Sequence, residues 1–205
     1  MRIYLVTDER LLLGKDLYRT VEAAVKGGVS MVQLREKESS TREFIERAIR
    51  LKEVLTPYGV PLIINDRVDV ALAADADGVH VGQSDMPYEM VKRLLPEGKI
   101  IGLSVESPEQ VLEANDYDLD YVAASPVFST TTKTNTIVEW GLDGLRWIRS
   151  VSRHPLVAIG GIHSNNVASI FKAGADSVAV ISAIVSADDP ERAARELLEK
   201  SGELH

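Results

Sequence analysis

Polar and charged side chains gather where short apolar runs of this sequence end. At the end of one run, Gln33, Arg35 and Lys37 occupy alternate positions. Alternate residues of an extended strand point to the same side, so one amide and two cations face the same way. Burying two cations in a protein interior costs free energy unless an anion lies beside them. The pattern predicts an anion site that uses these three residues, with a place in a solvated loop as the alternative for Lys37.

Two carboxylates follow two further apolar runs. Asn65 and Asp66 come directly after one run, and Asp85 follows the next. Carboxylate oxygens suit Mg2+, which keeps several water ligands and bridges to phosphate oxygens. We therefore expect Asp66 and Asp85 to face a common point and hold Mg2+. Asp85 also precedes a Met-Pro pair, so a role as a helix N-cap stays open.

A run of hydroxyl side chains ends in a lysine after the sixth apolar run. Ser129 begins it, residues 130–132 are threonines, and Lys133 closes it. Hydroxyl and ammonium groups both suit phosphate oxygens. This segment predicts phosphate contacts, with an ordinary polar loop as the alternative.

The last two apolar runs end in Gly160-Gly161 and Ile181-Ser182. In eight-stranded βα barrels, the loops after strands seven and eight often hold phosphate. Paired glycines let the backbone approach a ligand closely. These positions predict a second anion site, built on backbone N–H groups.

Two other polar residues lie in apolar runs. Ser104 ends the fifth run and can orient a substrate, and no nearby His and Asp pattern marks it as a nucleophile. His80 lies within the fourth run, and we assign it to the hydrogen-bonded core rather than to catalysis. Together, these strand ends predict a site with many anion ligands, a metal and no evident nucleophile. Such a site favours departure of a phosphate-type leaving group.

Eight strand–helix units must position these residues. Val, Ile and Leu-rich runs predict strands at residues 3–7, 31–35, 61–66, 78–82, 100–105, 121–128, 156–161 and 177–184. Periodicity and caps predict helices at 17–26, 41–55, 68–74, 87–95, 142–151, 166–173 and 191–200, with another starting at residues 107–109. We expect an α/β fold, one (β/α)8 TIM barrel spanning 1–205. An open doubly wound sheet is the alternative.

Bulk composition narrows the function further. The chain has 205 residues, no cysteine and a formal net charge of −8. It can therefore form neither disulfides nor sulfur-ligated metal sites, and its charge argues against nucleic-acid binding. No apolar run is long enough for a membrane span. With no signal-peptide layout at the start, we expect a cytoplasmic protein whose partners are small molecules; the oligomeric state, including a homo-oligomer, stays open.

Six segments in this order resemble the thiamine phosphate synthase family. They are 33–37 (QLREK), 65–67 (NDR), 78–85 (GVHVGQSD), 126–128 with 130–133 (PVF and TTTK), 160–162 (GGI) and 180–182 (VIS). The resemblance covers nearly the whole chain. It implies that hydroxymethylpyrimidine pyrophosphate loses pyrophosphate through a pyrimidine carbocation, which the nitrogen of thiazole phosphate then attacks to give thiamine phosphate.

The resemblance also implies a role for each site residue. Asp66 and Asp85 would bind Mg2+, and Arg35, Lys37, Asn65 and Lys133 would hold the pyrophosphate. Gln33 and Ser104 would contact the pyrimidine, whereas Thr130, Thr132, Gly160, Ile181 and Ser182 would hold the thiazole phosphate, with Gly161 beside them. Among these, we expect catalytic roles for Arg35, Lys37, Ser104 and Lys133.

Three alternatives stay open beside the synthase. A thiazole tautomerase-like enzyme would carry a histidine where this chain has Pro126. A non-catalytic thiazole-phosphate-binding regulator would not need both Asp66 and Asp85, and a sugar-phosphate isomerase would need a base. The chain also departs from the usual synthase pattern at Ser125, at Ser129 and over residues 134–139.

Overall fold

Eight short parallel strands close into a barrel. The computed structural model describes residues 2–129 and 139–202. Each strand pairs in parallel with its neighbours in the chain, and the eighth pairs with the first through Tyr4 and Ala179. The strands are β1 (Ile3–Val6), β2 (Met31–Leu34), β3 (Leu62–Asn65), β4 (Gly78–Val81), β5 (Ile100–Val105), β6 (Tyr121–Ala124), β7 (Leu156–Ile159) and β8 (Ser177–Val180). The predicted barrel is confirmed, and the open sheet is wrong.

The strands are buried on both faces, as near-continuous apolar runs predict for a parallel sheet. One set of side chains, including Tyr4, Ile63 and Tyr121, fills the barrel interior. The alternate set, including Leu5 and Leu34, packs outward against the helices. Because side chains alternate, every second strand residue points into the barrel. The polar side chains at the carboxyl ends of the strands follow the same alternation.

Nine helices lie within the described ranges. They are α1 (Leu17–Lys26), α2 (Thr41–Leu55), α3 (Val68–Ala73), α4 (Tyr88–Leu94), α5 (Pro108–Ala114), α6 (Gly141–Val151), α7 (Val167–Lys172), α8 (Ser182–Val185) and α9 (Pro190–Lys200). Single 3-10 turns cover Glu9–Leu12 and Thr56–Tyr58. Within these ranges, no helix is long and apolar enough to cross a bilayer.

Helix α2 shows why the helix predictions succeed. The Ser40 hydroxyl accepts a hydrogen bond from the N–H of Glu43, whose carboxylate accepts one from the N–H of Ser40. This reciprocal capping satisfies two N–H groups at the helix start. Phe44 and Leu51 lie on the buried stripe of the same helix. Helix α2 therefore has the predicted ends, and its apolar stripe is buried.

The predicted ends of strands six and eight are wrong. The sixth strand ends at Ala124 rather than at residue 128, because Pro126 has no N–H to donate to a ladder. The eighth ends at Val180 rather than at 184, because the backbone of Ile181 leaves the extended conformation and α8 begins at Ser182. Most of the other strands also end one or two residues earlier than predicted.

Gly102 on β5 makes room for the side chain of Tyr121 on β6. The two residues are partners in the β5–β6 register, and a Cβ at position 102 would overlap the Tyr121 ring. We expect Gly102→Ala to lower the free energy of unfolding by roughly 3 kcal/mol, since an added methyl forces a packed core to shift. Urea-induced unfolding measures this.

Gly98→Ala is the matched control. Gly98 has a φ of +83° and open space where its Cβ would lie, so only backbone strain of about 1 kcal/mol is expected. Equal losses in the two variants would contradict the packing role of Gly102.

Candidate active site

The carboxyl ends of the strands open into a cavity of about 1380 Å³. Within the described residues, every predicted site residue lies on its wall: Gln33, Arg35, Lys37, Asn65, Asp66, Asp85, Ser104, Gly160, Gly161, Ile181 and Ser182. The predicted contacts Thr130, Thr132 and Lys133 lie outside the described residues. The βα loops therefore bring residues from six strand ends to one mouth.

The amide and the two cations at the end of β2 line the same cavity, as alternation predicts. Each has a partner of its own. Gln33 Nε2 donates to the Tyr4 hydroxyl at 2.6 Å, Arg35 Nη1 lies 2.8 Å from Asp8 Oδ2, and Lys37 Nζ lies 2.8 Å from Asp66 Oδ2. The cations are thus charge-compensated by carboxylates at the mouth.

Asp66 and Asp85 lie side by side. Asp66 has a left-handed backbone, with a φ of +63°, a conformation that Asp and Asn tolerate better than most residues. Its Oδ2 also accepts a hydrogen bond from Asn65 Nδ2 at 2.7 Å. Burial raises the pKa of Asp85 above its ordinary value, and hydrogen bonding to the neighbouring Asp66 raises that pKa further.

The capping role that stayed open for Asp85 is wrong. Helix α4 begins after Pro87 without a side-chain cap, and Asp85 Oδ2 instead accepts the N–H of Gly82 at 2.8 Å. This bond turns the carboxylate back toward the strand end. It therefore faces Asp66 rather than the helix.

This donor set fits a divalent cation that needs few protein ligands. Two adjacent carboxylates repel each other, and a cation between them removes that repulsion. Across residues 2–129 and 139–202, no group of three or more His, Cys, Asp or Glu side chains is placed to hold a metal. One or two carboxylates, with water and substrate phosphate, is the usual way in which proteins bind Mg2+.

A chain of buried hydrogen bonds forms the floor of the cavity. From Gln33 and Tyr4 it continues from the Tyr4 hydroxyl to the Tyr121 hydroxyl at 2.9 Å. The Tyr121 hydroxyl lies 3.0 Å from His80 Nδ1, and His80 Nε2 lies 2.9 Å from Ser104 Oγ. His80 is thus a buried, hydrogen-bonded residue, as predicted, but it also faces the cavity.

The chain has a direction that both ends share. Burial raises the pKa of Tyr4 and of Tyr121, so both phenols stay neutral. A neutral imidazole donates from one nitrogen and accepts at the other. A phenol oxygen that accepts from Gln33 keeps its own hydrogen to donate, so an order from Tyr4 to Tyr121 to His80 to Ser104 uses every hydroxyl hydrogen in the chain of bonds. In that order the Ser104 hydroxyl can donate to a ligand.

The opposite wall carries the glycine pair. Gly160 and Gly161 have φ values of +107° and +64°. A Cβ on Gly160 would lie 2.7 Å from Pro126 Cβ, and one on Gly161 would lie 2.8 Å from the Ser129 carbonyl oxygen. The glycines therefore allow close packing on the segment after β6, besides exposing backbone to the cavity.

Comparison with known proteins adds an independent observation. The family model described as thiamine monophosphate synthase matches residues 3–184. The thiamine-phosphate synthase of Albidiferax ferrireducens is 53% identical over 190 residues, covering 93% of this chain and 87% of that protein. The chain belongs to the thiamine monophosphate synthase family. The thiamine-phosphate synthase of Vibrio campbellii is 51% identical over 197 residues, with 96% of each chain covered.

A solved structure agrees with this family. The thiamine phosphate pyrophosphorylase of Pyrococcus furiosus superposes with a TM-score of 0.90 at 41% identity, covering 98% of this chain and 96% of that one. These relatives carry the synthase name, so they support the synthase and give no support to the tautomerase-like enzyme or the binding regulator.

Sequence reasoning missed Tyr4, Tyr121 and Asp8. A signal for the two tyrosines was present, because each is a hydroxyl-bearing ring inside an apolar strand and a buried phenol needs a partner. Asp8 directly follows the first predicted strand, residues 3–7, so the argument from strand ends applied to it as it did to Asp66.

We expect Tyr121→Phe to lower the free energy of unfolding by about 2 kcal/mol, because it removes two buried hydrogen bonds worth about 1 kcal/mol each. Tyr117→Phe is the control, since its hydroxyl bonds Glu113 on the surface. Urea titration of both variants measures the difference. A Tyr121→Phe protein as stable as Tyr117→Phe would show that the floor chain does not stabilise the barrel.

Proposed function

We propose that the protein joins hydroxymethylpyrimidine pyrophosphate to thiazole phosphate, giving thiamine phosphate and pyrophosphate. Membership of the thiamine monophosphate synthase family makes it an enzyme, a transferase. The observation that carries the proposal is the adjacent pair Asp66 and Asp85 beside Arg35 and Lys37, in one mouth with the glycine pair. Such a mouth suits a ligand that carries two phosphates and a metal, together with a second phosphate ester.

The pyrophosphate half of the proposal uses the β2 and β3 ends. Arg35, Lys37 and Asn65 would hold the pyrophosphate oxygens, with Lys133 from outside the described residues. Asp66 and Asp85 would hold Mg2+, which supplies positive charge where negative charge develops on the leaving group. Fixed donors of this kind lower the barrier because they need no rearrangement as the bond breaks.

The pyrimidine would lie on the floor, between Gln33 and Ser104. Cleavage of the methylene carbon–oxygen bond leaves its electron pair on pyrophosphate and a cation on the pyrimidine methylene. The thiazole nitrogen lone pair then forms the new carbon–nitrogen bond. These two reaction steps consume no proton and need no base. This accords with a cavity floor of neutral phenols, an imidazole and a serine hydroxyl.

The thiazole phosphate would bind at the opposite wall. Backbone at Gly160, Gly161, Ile181 and Ser182 lines that side of the cavity, and Thr130 and Thr132 would complete it. We place the whole chain, 1–205, in one catalytic domain of a cytoplasmic enzyme whose partners are small molecules. The absence of cysteine favours that compartment.

Pyrophosphate release is the direct test. With both substrates and Mg2+ present, we expect stoichiometric release of pyrophosphate and formation of thiamine phosphate, measured by a coupled phosphate assay and chromatography. Chelation of divalent cations should stop the reaction, and added Mg2+ should restore it. Release that is absent with intact substrates and metal would overturn the proposed function.

Asp66→Asn tests the metal assignment. Asparagine tolerates the left-handed backbone at this position, so the fold is kept while one anionic ligand is lost. We expect turnover to fall on the order of 100-fold, as when a charge-stabilising group is removed from an active site. The Mg2+ concentration that gives half-maximal activity should rise.

Asp69→Asn is the control for that variant. Asp69 pairs with Arg67 on the surface near the start of α3 and does not line the cavity. Its removal should leave kcat and the Mg2+ requirement unchanged. Turnover retained by Asp66→Asn would assign the metal elsewhere.

A further inference from the structure

Asp8, at the end of β1, holds the guanidinium of Arg35. Its two carboxylate oxygens have separate partners: Oδ1 accepts the backbone N–H of Arg10 at 3.1 Å, and Oδ2 accepts from Arg35 Nη1 at 2.8 Å. The Arg35 and Asp8 side chains are only 21% and 14% exposed. Asp8 does not line the cavity itself, whereas Arg35 does. The Asp8 carboxylate therefore contacts the Arg35 guanidinium outside the cavity lining.

Backbone bonds fix the two chain segments that carry this pair. The N–H of Thr7 donates to the carbonyl of Gln33 at 2.9 Å, and the N–H of Arg35 donates to Thr7 Oγ at 3.1 Å. The end of β1 thus continues alongside the end of β2 beyond the strand ladder. These bonds hold the backbone of the two segments together, so the Asp8 carboxylate stays within reach of the Arg35 guanidinium.

A second ion pair supports the first on the side away from the cavity. Arg47 of α2 lies 2.8 Å from Glu36 and 3.0 Å from Glu9. The Glu36 side chain is 3% exposed. Arg47 therefore binds the residues that follow Asp8 and Arg35 in the chain, and it links both segments to α2.

Capping alone does not account for Asp8. Asp16 also caps a helix, α1, with its Oδ1 accepting the N–H of Arg19 at 2.9 Å, and it forms no ion pair with any other described residue. The two aspartates share the capping bond and differ in the bond to an arginine of the site. Asp16 is thus a matched internal reference for what capping contributes.

We propose that Asp8 is a positioning residue that orders Arg35 for the leaving pyrophosphate, an inference that rests on the proposed function. A guanidinium carries five N–H groups in one plane, so Arg35 can hold Asp8 with one edge and an anion with another. Arginine loses much rotamer freedom when it is fixed, and Asp8 imposes that loss before the ligand arrives. Its negative charge also opposes tight retention of the product anion.

These two effects act differently on binding and on turnover. Removing the Asp8 charge loosens Arg35 and weakens binding, but it also removes a repulsion, so the affinity for pyrophosphate changes little. Turnover depends on a fixed guanidinium as the bond breaks, so it falls. If Asp8 only stabilised the fold, its replacement would not lower turnover while leaving the pyrophosphate affinity unchanged.

The test compares Asp8→Asn with Asp16→Asn, both of which retain a good N-cap residue. We expect Asp8→Asn to lower kcat by about tenfold, the equivalent of one charge-assisted hydrogen bond. Its Kd for inorganic pyrophosphate with Mg2+, measured by calorimetry, should stay within about threefold, because the opposing charge effects offset each other. Asp16→Asn should stay within about twofold in both, because only a surface cap changes.

A double-mutant cycle decides whether Asp8 acts through Arg35. In an Arg35→Gln background, adding Asp8→Asn should lower kcat no further, because its partner is already gone. Asp8→Ser, which also keeps a capping side chain, should reproduce the Asp8→Asn result. Additive losses, or an equal loss in Asp16→Asn, would overturn the inference while leaving the proposed function intact. No pyrophosphate release from the unaltered protein would overturn the function itself and the inference with it.

Discussion

The hydrogen bond between the hydroxyls of Tyr4 and Tyr121 joins opposite walls of the barrel, and the site above depends on it. Strands of four residues enclose little space, so two phenol rings from β1 and β6, packed edge to face with centroids 5.9 Å apart, fill much of the interior. Gly102 supplies the gap that the second ring occupies. Because the two hydroxyls form a hydrogen bond, the row of hydrogen bonds extends from Gln33 at one end to Ser104 at the other. Buried side chains therefore fix both of these residues.

Charge at the mouth is balanced in pairs. Arg35 faces Asp8, and Lys37 faces Asp66. This pairing balances the charge of Arg35, whose side chain is 21% exposed, and of Lys37, whose side chain is 53% exposed, in a chain with a formal net charge of −8. Under the proposed function, a phosphate ligand would meet cations that are already paired. A divalent cation held by Asp66 and Asp85 would offset the burial and the neighbouring Asp66 carboxylate that together raise the pKa of Asp85. Under the proposed function, ligand binding would exchange these ion-pair partners rather than draw on excess positive charge.

Local sequence signals predict most of the fold and less of the site. Caps and apolar stripes determine helix ends, as Ser40 and Glu43 do for α2, and eight apolar runs predict eight strands. Strand ends depend on whether a neighbour is there to pair with, so the early end of β8 at Val180 has no signal of its own. The site residues that alternation and strand ends place at the mouth are found there. Tyr4 and Tyr121 are 117 positions apart, and their contact exists only once the barrel has closed.

The loop after β1 does not line the cavity, yet it contacts structural elements on two sides of it. On one side Asp8 holds Arg35. On the other, Lys15 Nζ donates to the carbonyls of Val185 and Ala187 at the end of α8, the helix that begins at Ser182. A reaction that joins two bound molecules requires a fixed distance between their sites, because a small displacement of the reacting atoms lowers the rate steeply. Under the proposed function, the strands would set that distance, and the loop after β1 would support it through its contacts with Arg35 and with the end of α8.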